Sequence, residues 1–198
     1  MLPEASSKVD AAPGVFDPSI GRTIAFRRMT LEQDLGRLHD WMNRPHVVPF
    51  WRLNRPLEEL RMHFERALHD PHQTLHIGLL DGIPMSYWET YWAVDDVIAR
   101  CYRPDPSDQG VHLLIGPPEF LGKGLALPLL RAMVRLLFHH GQAKKIVAEP
   151  DIRNARMIHV FERCGFKFVK CIQLPDKEAA LMFCHRQRFE VEIAHAER

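Results

Sequence analysis

The chain has 198 residues, 46% hydrophobic and 26% charged, with a net charge of +1. That length and composition predict one soluble globular unit, and the near-neutral balance excludes the broad basic footprint needed to hold nucleic acid or an anionic membrane surface. No apolar run approaches the ~20 residues of a membrane span, no basic-then-apolar leader opens the chain, and Cys101, Cys164, Cys171 and Cys184 fit neither paired zinc ligands nor a CxxC motif; the expectation is a cytoplasmic protein with reduced thiols and no metal, as monomer or homodimer.

Met1 to Arg22 is rich in Pro, Ser, Ala and Asp, which predicts a mobile or loosely docked arm over 1–22 ahead of a single domain over 23–198. Thr23 to Arg28 is the first strand. Leu31, Leu35, Leu38 and Met42 recur at helical spacing behind Thr30, a candidate N-cap, and that helix stops before Pro45. A second helix begins near Pro56 and buries Leu57, Leu60, Phe64 and Leu68. His72 to Leu80 and Ile83 to Tyr91 read as strands joined by the tight turn Asp81-Gly82, hence an antiparallel pair. Gly110 to Ile115 is a short apolar strand that cannot continue through Gly116-Pro117-Pro118.

An apolar helix then runs from about Gly122 to Phe138, with Pro128 in its first turn and Gly141 ending it. Lys145 to Ala148 is a strand. Asn154 opens a helix with Met157, Val160, Phe161 and Cys164 on one face, closed by Gly165. Phe166 to Leu174 and Ala179 to Arg186 are strands around the Pro175-Asp176-Lys177 turn. The fold class is α/β of the α+β kind: about seven strands in a mixed, mostly antiparallel central sheet, flanked by about four helices.

The segment Phe120-Leu121-Gly122-Lys123-Gly124 lies between a strand and a helix. Glycines there leave backbone N–H groups open to an anion, the helix dipole adds positive potential, and Lys123 adds a full charge, so a pyrophosphate is a natural guest. Taken alone, Gly122 and Gly124 equally suit a tight strand-to-helix turn. Neither a Walker loop nor the GxGxxG of dinucleotide folds is present.

Gly-x-Gly after the fourth main strand, followed by a strand and an Asn-led helix ending in Cys164-Gly165-Phe166, resembles the GNAT acyltransferases. Trp41-Met42-Asn43-Arg44-Pro45-His46-Val47, Tyr87-Trp88-Glu89-Thr90-Tyr91-Trp92, Gly110-Val111-His112-Leu113-Leu114-Ile115-Gly116, Glu149-Pro150-Asp151-Ile152-Arg153-Asn154 and the Leu174-Pro175-Asp176-Lys177 turn resemble the siderophore-type branch, which acylates hydroxylysine, hydroxyornithine and lysine. The resemblance runs from about Ile24 to Phe189. Where the family usually carries Arg or Gln three residues before the first glycine, this chain has Glu119. Aminoglycoside 6′-N-acetyltransferases look similar from Leu121 onward.

The resemblance implies acetyl-CoA or another acyl-CoA as co-substrate and a small-molecule amine or hydroxylamine as acceptor. It implies a general base at His112, a strand histidine that could equally be a core residue, with Asp151 orienting it or the amine. It implies that the backbone of Leu113, Leu114 and Ile115 pairs with the pantetheine arm like an added strand, that Asn154 helps hold that arm, and that Phe120 to Gly124 grip the pyrophosphate. A thioester is already activated, so no enzyme nucleophile is required. Glu89 and Asp95 among Trp88 and Trp92 suit a cationic, extended acceptor, and His46 and Trp51 are candidate walls of its site. The expected activity is acylation of the hydroxylated ω-amino group of lysine, ornithine or a diamine. Aminoglycoside acetylation and a non-catalytic acyl-CoA-binding module are the alternatives.

Overall fold

The computed structural model describes residues 14–140 and 143–196. In chain order the elements are β1 (Val15–Asp17), β2 (Arg22–Arg28), α1 (Leu31–Met42), α2 (Val48–Trp51), α3 (Leu57–His69), β3 (Gln73–Leu80), β4 (Ile83–Trp92), β5 (Gln109–Ile115), α4 (Ala126–His140), β6 (Lys145–Ala148), α5 (Ala155–Arg163), β7 (Lys167–Gln173), β8 (Glu178–His185) and α6 (Arg186–Ala196). They form one eight-stranded sheet in the order β1-β2-β3-β4-β5-β6-β8-β7.

Every neighbouring pair is antiparallel except β5 and β6. Those two run parallel and share only the pairs Gln109↔Ile146 and Gly110↔Val147. Beyond Gly110 the strands part, so β5 keeps β4 on one edge and has no strand on the other. The sheet is splayed at its centre, and the opening positions the site.

Two apolar layers hold the sheet. On one face α4 packs Leu129, Leu130, Met133 and Val134 against Val111, Ile146, Met182 and Trp88, all buried. On the other, Leu35 and Leu38 of α1 and Leu60 and Phe64 of α3 cover Leu75, Ile77, Tyr87 and Leu114. Leu35, Leu38, Leu60 and Phe64 lie on the helix faces read from the 3.6-residue period, but Leu57 and Leu68, expected on the buried face of α3, are 44% and 40% exposed, and Ala67 is buried there instead. Asp81 and Gly82 have φ of 49° and 79°, both left-handed, as the two-residue turn between twisted antiparallel strands requires.

Several expectations need correction. Val15–Asp17, inside the expected arm, pairs with β2 as an edge strand, while the arm's residues 1–13 lie outside the described residues, as does Gly141. Among the described residues six α-helices stand where about four were expected. The four-residue α2 is too short to show a period, and α6 carries no clean apolar stripe. Thr30 holds the N-cap position without a side-chain cap bond. Instead the buried Asp34 carboxylate accepts the Thr30 N–H at 3.0 Å and two bonds from Arg27 at 2.6 and 2.7 Å. Finally, α4 begins at Ala126 rather than Gly122, because Gly122 and Gly124 have φ of 70° and 72° and cannot be part of a right-handed helix.

Candidate active site

Strand register alone assembles the central cluster. Glu89 on β4 is the cross-strand partner of His112 on β5. Two residues past the Gly110↔Val147 pair, Glu149 sits just beyond β6, level with His112. His112 Nδ1 lies 2.9 Å from Glu89 Oε2, and His112 Nε2 is hydrogen-bonded to Glu149 Oε1. Each carboxylate is in turn held by a tyrosine of β4: Tyr87 donates to Glu89 Oε1 at 2.9 Å and Tyr91 to Glu149 Oε2 at 2.6 Å. Lys177 Nζ stands 3.8 Å from Glu149 Oε1. Period-2 alternation puts Tyr87, Glu89 and Tyr91 on one face of β4.

Charge follows from this geometry. Burial alone would lower the His112 pKa, but the carboxylates, Glu149 first and Glu89 with it, outweigh burial and raise it to about 10. Burial likewise pushes Glu149 and Glu89 up, and His112, together with Lys177 and Tyr91 at Glu149 and with Tyr87 and His63 at Glu89, outweighs it and leaves each below its ordinary value. At neutral pH the cluster is therefore a carboxylate–imidazolium–carboxylate array with both imidazole nitrogens occupied.

The cluster floors a cleft of about 270 Å³. Phe50, Trp51, His63, Met157, Asp176 and Lys177 also line it. Burial lowers the His63 pKa, which favours its neutral form. Trp51 stands edge-on to His112 with ring centroids 6.3 Å apart. Arg52, left-handed at φ 52°, donates from Nη1 to the carbonyl of Asp176, which ties the α2 segment to the β7–β8 turn.

Of the other acceptor-site expectations, Trp51 and Glu89 reach the cleft. His46 does not line it: its Nε2 bonds the Ile115 carbonyl at 2.9 Å, at the end of β5. Trp88 points to the opposite face, fully buried, donating to Ser86 at 2.8 Å and standing edge-on to Phe26 at 5.3 Å. Trp92 is exposed where β4 ends, and Asp95 is exposed in the following turn. Asp151 lines the cleft but turns to Arg153, whose Nε and Nη2 lie 2.9 and 2.6 Å away and draw its pKa down to about 2.

On the expected acyl-CoA side, Leu113, Leu114 and Ile115 pair with Trp88, Tyr87 and Ser86 on one edge only. Open space surrounds the positions where side chains on Gly122 and Gly124 would project. Lys123 is exposed and Leu121 is 38% exposed, while Phe120 packs on the core beneath. Asn154 caps α5, its side-chain oxygen accepting the Met157 N–H at 3.2 Å. Left-handed glycines ahead of a fifteen-residue helix present main-chain amides to an anion, and an unpaired strand edge can accept an extended arm. The residues present therefore fit a coenzyme A thioester. Among the described residues no group of His, Cys, Asp or Glu is placed to hold a metal ion, and no helix is long and apolar enough to cross a membrane.

A sheet splayed beside a glycine loop, with a charged histidine cluster at the opening, defines an acyltransferase of the class the motifs resemble. The family described as acetyltransferase (GNAT) domain matches residues 30–174, and the chain belongs to it as an N-acyltransferase. The N-hydroxyputrescine acetyltransferase of Acinetobacter baumannii is 35% identical over 93% of this chain and 89% of its own. A solved structure from Bacillus halodurans shares 48% identity and a TM-score of 0.89, covering 91% of this chain and 93% of that one. Aminoglycoside acetyltransferase AAC(6')-Ib, solved with coenzyme A and kanamycin, shares 33% identity at a TM-score of 0.77, covering 85% and 98%. Relatives named for acylation of N6-hydroxylysine and of lysine place the chain in the siderophore-type branch; it spans 57% of the length of the first.

Glu149 lies in the Glu149-Pro150-Asp151 segment, where no local pattern gives it a role. The signal that finds it is the parallel register, which pairs positions 37 apart, as in Gln109↔Ile146 and Gly110↔Val147, and so sets His112 beside Glu149.

Proposed function

We propose that this chain transfers an acyl group from acetyl-CoA or a related acyl-CoA to the hydroxylated ω-amino group of lysine, ornithine or a diamine, making a hydroxamate for siderophore assembly. The observation that carries the reading is the His112 cluster. Its imidazole is charged and its carboxylates are held ionised, so the resting site offers only weak bases. A hydroxyl on nitrogen lowers the basicity of an amine, and such an acceptor arrives largely neutral near pH 7. Its nitrogen needs no prior deprotonation to attack. Once the C–N bond forms, the nitrogen becomes strongly acidic and a carboxylate suffices to take its proton; the C–S bond then breaks and coenzyme A departs as a thiolate, to which that proton passes.

The general-base role expected of His112 thus becomes one shared with Glu149, with Glu149 as the receiving oxygen and His112 as the counter-charge that holds it. Asp151 orients the segment through Arg153 rather than touching the imidazole. Leu113, Leu114 and Ile115 would pair with the pantetheine amides, with Asn154 at the head of α5 beside them. Phe120 to Gly124 would hold the pyrophosphate. The acyl-CoA supplies an activated thioester and a good leaving group. Trp51 and Glu89 would bound the acceptor, whose cationic tail suits a cleft rich in carboxylates.

The relative that acts on N-hydroxyputrescine supports this acceptor class; likeness to the kanamycin-bound enzyme supports the rival reading. A panel of acetyl-CoA with N-hydroxylysine, N-hydroxyornithine, N-hydroxyputrescine and kanamycin separates them. Turnover of at least one hydroxylamine well above kanamycin is expected; turnover of kanamycin with no acylated hydroxylamine overturns the proposal.

A further inference from the structure

Tyr91 and Glu149 are separated by a whole strand: Tyr91 is on β4, Glu149 follows β6, and β5 runs between them. A tyrosine cannot cross a strand at a position that carries a side chain. Its cross-strand partner here is Gly110. A Cβ built on Gly110 would lie 1.9 Å from Tyr91 Cζ and 2.4 Å from its hydroxyl oxygen, so the tyrosine ring fills the place of the missing side chain. The ring passes over β5 through that gap, is 4% exposed, and ends 2.6 Å from Glu149 Oε2.

We infer that Tyr91 is a positioning residue for acyl transfer, acting through Glu149, and that the absence of a side chain at Gly110 is what allows it. Glu149 is 4% exposed and its two oxygens have different partners: Oε1 faces His112 and Lys177, Oε2 faces Tyr91. Without the tyrosine hydroxyl, Oε2 is a buried acceptor lacking a donor, and the carboxylate gains freedom to rotate away from the imidazole. The charged and titratable groups facing Glu149 are His112 on β5, Lys177 on the β7–β8 turn, Tyr91 on β4 and Tyr102 in the β4–β5 connection, with Asp96 and Tyr102 also acting on Tyr91. Removing the tyrosine donor raises the pKa of the carboxylate. The inference rests on the acyl-transfer reading of the cleft.

The test is Tyr91→Phe, which deletes one oxygen. The account predicts kcat about tenfold lower, consistent with loss of one hydrogen bond to a charged group, with KM for acetyl-CoA unchanged and the acid limb of kcat/KM moved to higher pH. In a Glu149→Gln background the same change should have no further effect, because residues acting as a unit are non-additive. Wild-type kcat with an unmoved acid limb in Tyr91→Phe, or a full multiplicative loss in the double variant, overturns the inference. Should Tyr91→Phe fail to fold, Gly110→Ala tests the same crossing, since it displaces the ring from Glu149; wild-type kcat in folded Gly110→Ala overturns it equally. A Glu149→Gln protein that keeps full activity refutes instead the role given to Glu149, which separates the two failures.

Discussion

The two halves of the site are built by opposite means. Around His112 the side chains saturate one another: both imidazole nitrogens, all four oxygens of Glu89 and Glu149, and two tyrosine hydroxyls have partners within one cluster. Around Gly122 and Gly124 the backbone turns left-handed into open space. The first half is preorganised charge in a buried place, where electrostatics are strong and removal of one member strands the rest. The second is a cradle of main-chain amides whose value depends on having no side chain in the way. If chemistry resides in the first half and acyl-CoA affinity in the second, variants should split along that line.

The largest expected effect is on the first half. His112→Ala should lower kcat by about 10²–10⁴-fold, the usual span for general acid–base catalysis, because it removes the counter-charge that holds the proton-accepting Glu149, measured at saturating acetyl-CoA alongside thermal unfolding; unchanged turnover removes His112 from the mechanism. Trp88→Ala should act on stability instead, by about 3–5 kcal/mol as for other buried aromatics, read by denaturant unfolding, because Trp88 belongs to the core opposite the cleft. On the second half, Gly122→Val forces a β-branched residue into a left-handed conformation that costs about 1–3 kcal/mol; KM for acetyl-CoA should rise about tenfold or more while kcat at saturation holds. A fall in kcat with KM unchanged would break the comparison.

A subtler separation lies in pH. The raised His112 pKa contributes stability that is whole below the ordinary value of 6.5 and is lost as pH rises through about 10. The lowered Glu149 pKa contributes stability that is whole above 4.5 and is lost as pH falls through about 2. Thermal midpoints should therefore peak between these limits and decline on the alkaline side, and His112→Gln should flatten that decline. The smallest expected effect is at Trp92, exposed beyond the cleft: Trp92→Ala should change stability by no more than about 0.5 kcal/mol and leave acceptor KM unaltered.

Most of the framework was legible in the sequence because it is local. The period of Leu31 to Met42, the Asp81-Gly82 turn and the Asn154 cap each fix their element without reference to the rest of the chain. The glycine loop was legible as an anion cradle, though not the delayed start of α4, which depends on φ values that two glycines permit but do not dictate. The cluster was half legible. His112 and Glu89 both stand out in the sequence, and Tyr87-x-Glu89-x-Tyr91 spells one face of a strand. Their meeting with Glu149 depends on a parallel register of two residue pairs between strands more than thirty positions apart, which no local pattern encodes. Trp88 and Trp92 misled for a related reason: an aromatic-rich strand reads alike on both faces, and only packing shows which face is core. Glu149, beside them in no linear sense, also changes what His112 is, from a neutral imidazole to a charged one.

That change of state is the central claim, and ¹⁵N NMR of the histidine-labelled protein tests it most directly. The account predicts that His112, assigned by its loss in His112→Gln, keeps the imidazolium nitrogen shifts up to about pH 8, well above the ordinary midpoint of a histidine. A neutral-tautomer pattern at pH 7, with an ordinary titration between, would contradict it and return His112 to the role of a free base.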